Sequence, residues 1–267
     1  MTNLVASVFA NAANENRAAL IAYLPAGFPT QNDSFALIDA LLKNGVDLIE
    51  IGFPYSDPLM DGPIIQAAVQ QSLEQGIKAK DVFAAVQHVA QQGGTAVVMS
   101  YFNPIFRYGT ERFLDELTKS GGAGVITPDL IPDEAHGWLE SASKHNVSNI
   151  FLVAPSSTQE RVALVSTAAT GFIYAASLMG VTGVKSAQIQ IVSDLVARIR
   201  AHSNLPIAVG LGVNTPEQVS EISKFADGVI VGSAFVKAVL QAPEINSAVA
   251  AVGTLAADLA GATRRIS

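Results

Sequence analysis

The sequence predicts an α/β chain built as a single (β/α)8 barrel, and three observations carry that prediction. Short apolar runs rich in β-branched residues recur eight times along the 267 residues. Segments of helical period separate them, and the runs are apolar on both faces, as buried parallel strands are. Eight such units in a chain of this length favour a closed barrel over an open doubly wound sheet.

The eight runs are ALIAYL from Ala19, DLIEIG from Asp47, TAVVMS from Thr95, GVITPD from Gly124, NIFLVAP from Asn149, GFIYAAS from Gly171, PIAVGLG from Pro206 and GVIVGS from Gly228. Between them, SFALIDALLKNG (34–45), AKDVFAAVQHVAQQ (79–92) and AQIQIVSDLVARIRAH (187–202) repeat apolar residues at helical spacing. Several of these segments follow Asn, Asp, Ser or Thr, the residues that cap helix starts. An extra helix is expected at the N-terminus (4–13) and an alanine-rich one near the C-terminus (245–260). With no low-complexity linker and no break in composition, residues 1–267 read as a single TIM-barrel domain.

Composition narrows the function. Hydrophobic residues make up 49% and charged residues 15%, below the roughly 25% charge usual in soluble domains. That deficit predicts extra buried surface, within the fold or against a partner. The formal charge of -7 and the lack of a basic run argue against nucleic acid or an anionic membrane as partner. No stretch approaches 18 uninterrupted apolar residues, and the first residues show no basic region ahead of an apolar core. Zero cysteines exclude disulfides and thiol chemistry and fit a reducing compartment, so a cytoplasmic protein is expected.

In such barrels the chemistry sits where strands run into the loops that follow them. The second run places Leu48, Glu50 and Gly52 on one side and Asp47, Ile49 and Ile51 on the other. Facing the barrel, Glu50 would sit among apolar neighbours that raise its pKa, so that it can give and take a proton near neutrality. The alternative is a glutamate satisfied by a nearby hydroxyl or lysine. Asp61 lies on the next loop between Pro58, Gly62 and Pro63, where the same residues also serve simple turn chemistry, and Asp57 reads as a residue that orders the turn. Asp129 and Tyr174 complete the strand-end candidates on this side.

The seventh and eighth runs end in VGLGVNTPEQ and VGSAFVKAV. Glycines just before helix starts allow close backbone approach and expose free N–H groups, the setting for a phosphate. Gly183, in MGVTG after the sixth run, is expected to face the same quarter. Other chemistries fall away by absence. The eight lysines lie on helices or loops, against a Schiff base. The four histidines, His88, His136, His145 and His202, lie on helix-like segments, against a metal centre or a serine triad, and His145 and His202 suit structural roles where helices end. Carboxylate acid and base chemistry on a phosphorylated substrate remains.

The block EIGFPYSDPLMDGPIIQAA resembles the tryptophan synthase alpha subunit family. So do, in the same order, YFNPIFRYG, PDLIPDE, LVAPSSTQERV, GFIYAASLMGVTG, VGLGVNTPEQV and GVIVGSAFV. The resemblance implies a (β/α)8 barrel that cleaves indole-3-glycerol phosphate to indole and glyceraldehyde 3-phosphate without metal or Schiff base. It implies Glu50 as the acid and base that protonates the indole ring carbon and takes the glycerol hydroxyl proton. Asp61 would accept the indole N–H and stabilise the indolenine. Tyr174 would stand beside the glutamate, Thr182 would meet the Asp61 loop on closure, and Gly183, Gly212, Gly232 and Ser233 would hold the phosphate. The implied partner is a beta subunit, in an alpha2-beta2 heterotetramer. It would carry pyridoxal phosphate, receive the indole, and dock on the Asp57 to Pro63 loop, the YFNP stretch from Tyr101 and PDLIPDE from Pro128. No cofactor is expected in this chain. Leu178 stands where many members have arginine, Asn214 where serine is frequent and Phe28 where aspartate is common, departures that bear on loop closure and coupling rather than on the carboxylates.

Overall fold

A computed structural model describes residues 3–176, 185–210 and 212–265. Its strands are β1 (Ala19–Pro25), β2 (Leu48–Gly52), β3 (Ala96–Met99), β4 (Gly124–Ile126), β5 (Ser148–Ile150), β6 (Leu152–Val153), β7 (Ile173–Ala176), β8 (Ile207–Gly210) and β9 (Gly228–Val231). All pairings between these strands are parallel, in the order β5-β4-β3-β2-β1-β9-β8-β7-β6. The two ends of that order, β5 and β6, are halves of one run interrupted at Phe151. The first half pairs with β4 and the second with β7, which closes the barrel. The run predicted from Asn149 is therefore one unit of eight, split in two.

The helices are α1 (Leu4–Asn14), α2 (Gln31–Lys43), α3 (Pro63–Glu74), α4 (Ala79–Gln91), α5 (Phe102–Tyr108), α6 (Thr110–Lys119), α7 (His136–Lys144), α8 (Gln159–Ala168), α9 (Lys185–Arg200), α10 (Pro216–Ser223), α11 (Ser233–Gln241) and α12 (Ile245–Ala262), with a 3-10 turn at Pro132–Glu134. α2 begins three residues before its apolar period does, because the Thr30 hydroxyl accepts from the Asp33 N–H at 3.2 Å and caps it there. By length and composition α12 could cross a membrane. In the fold it lies along α2, α10 and α11 and buries Ala248, Val252, Ala256 and Leu259 on one stripe.

Two apolar layers result. The larger lies between strands and helices, and fully buried Phe28 and Phe113 belong to it. The smaller fills the barrel, where Ile21, Leu48, Val97, Ile126, Ile150, Phe172 and Ile230 meet. α1 extends this inner core past the strand starts. Its Val5, Val8, Phe9 and Ala12 join the cluster, and the Phe9 ring lies 5.3 Å from that of Phe172. The N-terminal mouth is thus plugged, and chemistry is left to the other end. Beside the plug, Arg17 grips Asp47 with two bonds of 2.6 and 2.7 Å, and the Leu20 N–H adds a third at 2.8 Å.

Candidate active site

β2 carries Glu50 into the barrel as its alternation predicts, opposite Tyr23 of β1. The side chain is 1% exposed, and its Oε2 finds no hydrogen-bond partner. Among the described residues no hydroxyl or lysine bonds that oxygen, which counts against a purely structural glutamate. Burial, then the nearby Asp61 carboxylate, pushes its pKa up from 4.5 to about 8. At neutral pH it is a carboxylic acid, able to donate a proton and afterwards accept one.

Tyr23 and Tyr174 flank it. Both phenols are buried, and burial with neighbouring carboxylates holds them well above the ordinary tyrosine range, so both stay protonated. Their rings lean over the ends of adjoining strands and demand glycine there. A Cβ on Gly52 would stand 2.4 Å from the Tyr23 hydroxyl, and one on Gly210 would stand 2.3 Å from that of Tyr174. The Tyr23 ring also runs beside Gly232, where a Cβ would come within 3.3 Å of it. One tyrosine thus spans from the glutamate strand to the start of α11. The sequence reading missed Tyr23, although its place at an inward position near a strand end was a usable signal.

Asp61 reaches the site on the loop before α3. Burial raises its pKa, and the Tyr101 hydroxyl partly offsets the rise. That hydroxyl also accepts the N–H groups of Leu59 at 3.0 Å and Met60 at 2.9 Å. Asp57 accepts the neighbouring Ser56 hydroxyl at 2.6 Å and orders the turn. Asp129 does not enter the barrel. Both of its oxygens accept the Phe102 N–H, at 2.9 and 3.2 Å, so it serves the start of α5.

Further round the same rim, α11 starts after Gly232 without a side-chain cap, which leaves the N–H groups of its first turn free beside Ser233. Gly212 adopts φ +88°, a conformation that favours glycine, and its carbonyl accepts the Asn214 amide at 3.1 Å. The structure brings Glu50, Asp61 and Tyr174 together and sets Gly212, Gly232 and Ser233 at the ends of β8 and β9. Thr182, Gly183 and Leu178 lie outside the described residues. Among the described residues no three His, Asp or Glu side chains gather as a metal would need. His88 and His145 bond Asp39 and Asp115 on the outer helices, at 2.7 and 3.1 Å.

The sequence profile of the family described as Tryptophan synthase alpha chain matches residues 9–264. The chain belongs to the tryptophan synthase alpha chain family. It is 55% identical over 234 residues to the tryptophan synthase alpha chain of Nocardia farcinica, 88% of each chain. Against that of Thermobifida fusca it is 49% identical over 258 residues, 96% of each. Among solved structures, a chain of the M. tuberculosis tryptophan synthase in an open form superposes with a TM-score of 0.91 at 44% identity, covering 99% of this chain and 100% of that one. The alpha subunit from Legionella pneumophila gives 0.89 at 30% identity, covering 98% and 99%. As a tryptophan synthase alpha chain, the protein is a lyase that cleaves indole-3-glycerol phosphate.

Proposed function

We propose that Glu50 is the proton carrier of this cleavage and Asp61 its charge stabiliser, within one barrel domain. The observation that carries the reading is the buried Glu50 carboxyl, protonated at neutral pH and left with an unpartnered oxygen at the open mouth. Glu50 gives its proton to C3 of the indole ring, and Asp61, accepting the indole N–H, stabilises the positive charge that results. The bond from C3 to the glycerol carbon then breaks, and its electrons return to the ring. The hydroxyl on that carbon becomes the aldehyde, and its proton goes to Glu50, which restores the acid. Tyr174 stands against the same carboxyl. The free N–H groups at the start of α11, with Gly232, Ser233 and Gly212, hold the phosphate, joined by Gly183; Thr182 meets the Asp61 loop. The chain needs no cofactor of its own for this sequence of steps.

The open end also carries a surface suited to a partner. Leu59 (79% exposed), Met60 and Ile131 present apolar side chains on two of the three segments that the sequence marks for docking, and Phe106 (68% exposed) does so on α5, just beyond the third. The M. tuberculosis tryptophan synthase has been solved in an aminoacrylate-bound form, and a chain of it superposes with a TM-score of 0.90 at 44% identity, covering 98% of this chain and 100% of that one. A pyridoxal phosphate beta subunit, joined in an alpha2-beta2 assembly in the cytoplasm, fits that surface and a chain without cysteine.

The test is to add indole-3-glycerol phosphate to the pure chain and to Glu50→Gln, with and without a beta subunit, and to follow indole. The reading expects release by the parent, stimulation by the partner, and near-complete loss in the variant with substrate binding kept. Near-normal turnover by Glu50→Gln refutes the role of Glu50.

A further inference from the structure

Asp61 stands on a loop whose neighbouring side chains do not anchor it. Leu59 and Met60 are exposed, among the described residues Asp57 bonds Ser56 alone, and on the far side the Gln66 amide holds the Asp61 carbonyl at 2.8 Å. Before Asp61, the hold among the described residues comes from Tyr101. Its hydroxyl oxygen accepts the N–H groups of Leu59 and Met60, which uses its acceptor capacity and leaves its own hydrogen to donate. The ring behind that hydroxyl is fixed. It is 5% exposed, lies 5.4 Å from the ring of Tyr55, and is followed by Phe102, whose N–H Asp129 holds. Tyr101 comes just after β3, the strand paired with β2, so the frame that fixes Glu50 also fixes this phenol.

We infer that Tyr101 is a positioning residue for the reaction: its hydroxyl ties the loop at the barrel mouth and aims the Asp61 carboxylate at the indole nitrogen. The inference rests on the role assigned to Asp61. It makes the acceptor as preorganised as the proton carrier, although one stands on a loop and the other on a strand.

The same phenol bears on the charge of Asp61. Burial favours the neutral acid, and the phenol is the group that opposes it. Among the described residues, the other titratable groups facing this pair are Glu50 and Tyr23, which feel the Asp61 charge, and Asp129, which acts on Tyr101. None of these is a cation, so none can take over from the phenol in keeping Asp61 ionised. Without the hydroxyl the Asp61 pKa rises, and the activity that needs its anion is lost at a higher pH as pH falls.

Tyr101→Phe keeps the ring and removes only the oxygen. In the full chain with beta subunit, the expected result is kcat lower by about tenfold with KM for indole-3-glycerol phosphate within about twofold, since the hydroxyl acts on the developing charge rather than on phosphate binding. The acidic limb of kcat against pH moves up by about half a unit or more, a change that simple loosening of the fold would not produce. Unchanged kcat overturns the inference, and so does a fall in kcat with the acidic limb unmoved. Asp61→Asn separates the two layers of argument. If it keeps near-normal turnover, the role of Asp61 fails and takes that of Tyr101 with it. If it is inactive while Tyr101→Phe matches the parent, only Tyr101 is misassigned. Loss in both single variants, with no further loss in the double variant, supports the inference.

Discussion

Strand β2 carries one carboxylate, Glu50, and is preceded by another, Asp47, three residues earlier, and the protein treats them in opposite ways. Asp47, at the plugged end, accepts two bonds from Arg17 and one from the Leu20 backbone. Glu50, at the open end, is buried with an oxygen that no described residue satisfies. The first carboxylate holds the chain together, and the second is the one to which the proposed proton transfer is assigned. The contrast extends to the barrel ends themselves. α1 seals one with apolar side chains, while the other gathers titratable groups whose pKa values burial raises, the Asp61 carboxylate adding to the rise at Glu50 and Tyr23.

The largest expected effect tests the chemical end. Glu50→Gln should lower kcat by about 1,000-fold or more, the scale of lost general acid and base catalysis, read as indole release. The same substitution should stabilise the protein. Between pH 4.5 and about 8 the folded state holds a proton on Glu50 that the unfolded state releases, so stability falls as pH rises through that window. The neutral glutamine escapes this loss, and its gain should be on the order of 3 kcal/mol near pH 7 and absent near pH 4, read from thermal melts. Asp61→Asn should follow with a loss of about 100-fold or more in kcat, since the charge it stabilises develops only as the reaction proceeds.

Breaking the other carboxylate should give the mirror result. Arg17→Ala leaves Asp47 nearly buried and without its cation, and should cost about 3 kcal/mol of stability with kcat nearly unchanged, checked by denaturant titration beside an activity assay. A large loss of kcat in a folded Arg17→Ala protein would erase the distinction between the two ends. The smallest effect is expected at the rim, where Ser233→Ala should raise KM by about threefold through one lost hydrogen bond to the phosphate while kcat holds.

Local patterns made much of this legible in the sequence. The apolar runs give the strands and their order, and a carboxylate inside such a run marks Glu50 before any contact is known. What escaped depends on tertiary contact. The division of the fifth run at Phe151 comes from barrel closure, which no single segment encodes. α2 starts early because Thr30 caps it, ahead of the apolar period that announces it. Asp129 looks like a strand-end carboxylate and is taken up by a backbone N–H of the preceding unit. Tyr101 meets Leu59 and Met60 across more than forty residues of chain, and no spacing rule links them.

The account depends most on Glu50 being a neutral acid in the resting site. Infrared difference spectra of the parent against Glu50→Gln, taken across a pH titration, read that carboxyl directly. The account predicts a protonated carboxyl band at neutral pH that disappears with a midpoint near 8. A band already lost at the ordinary glutamate pKa would contradict it.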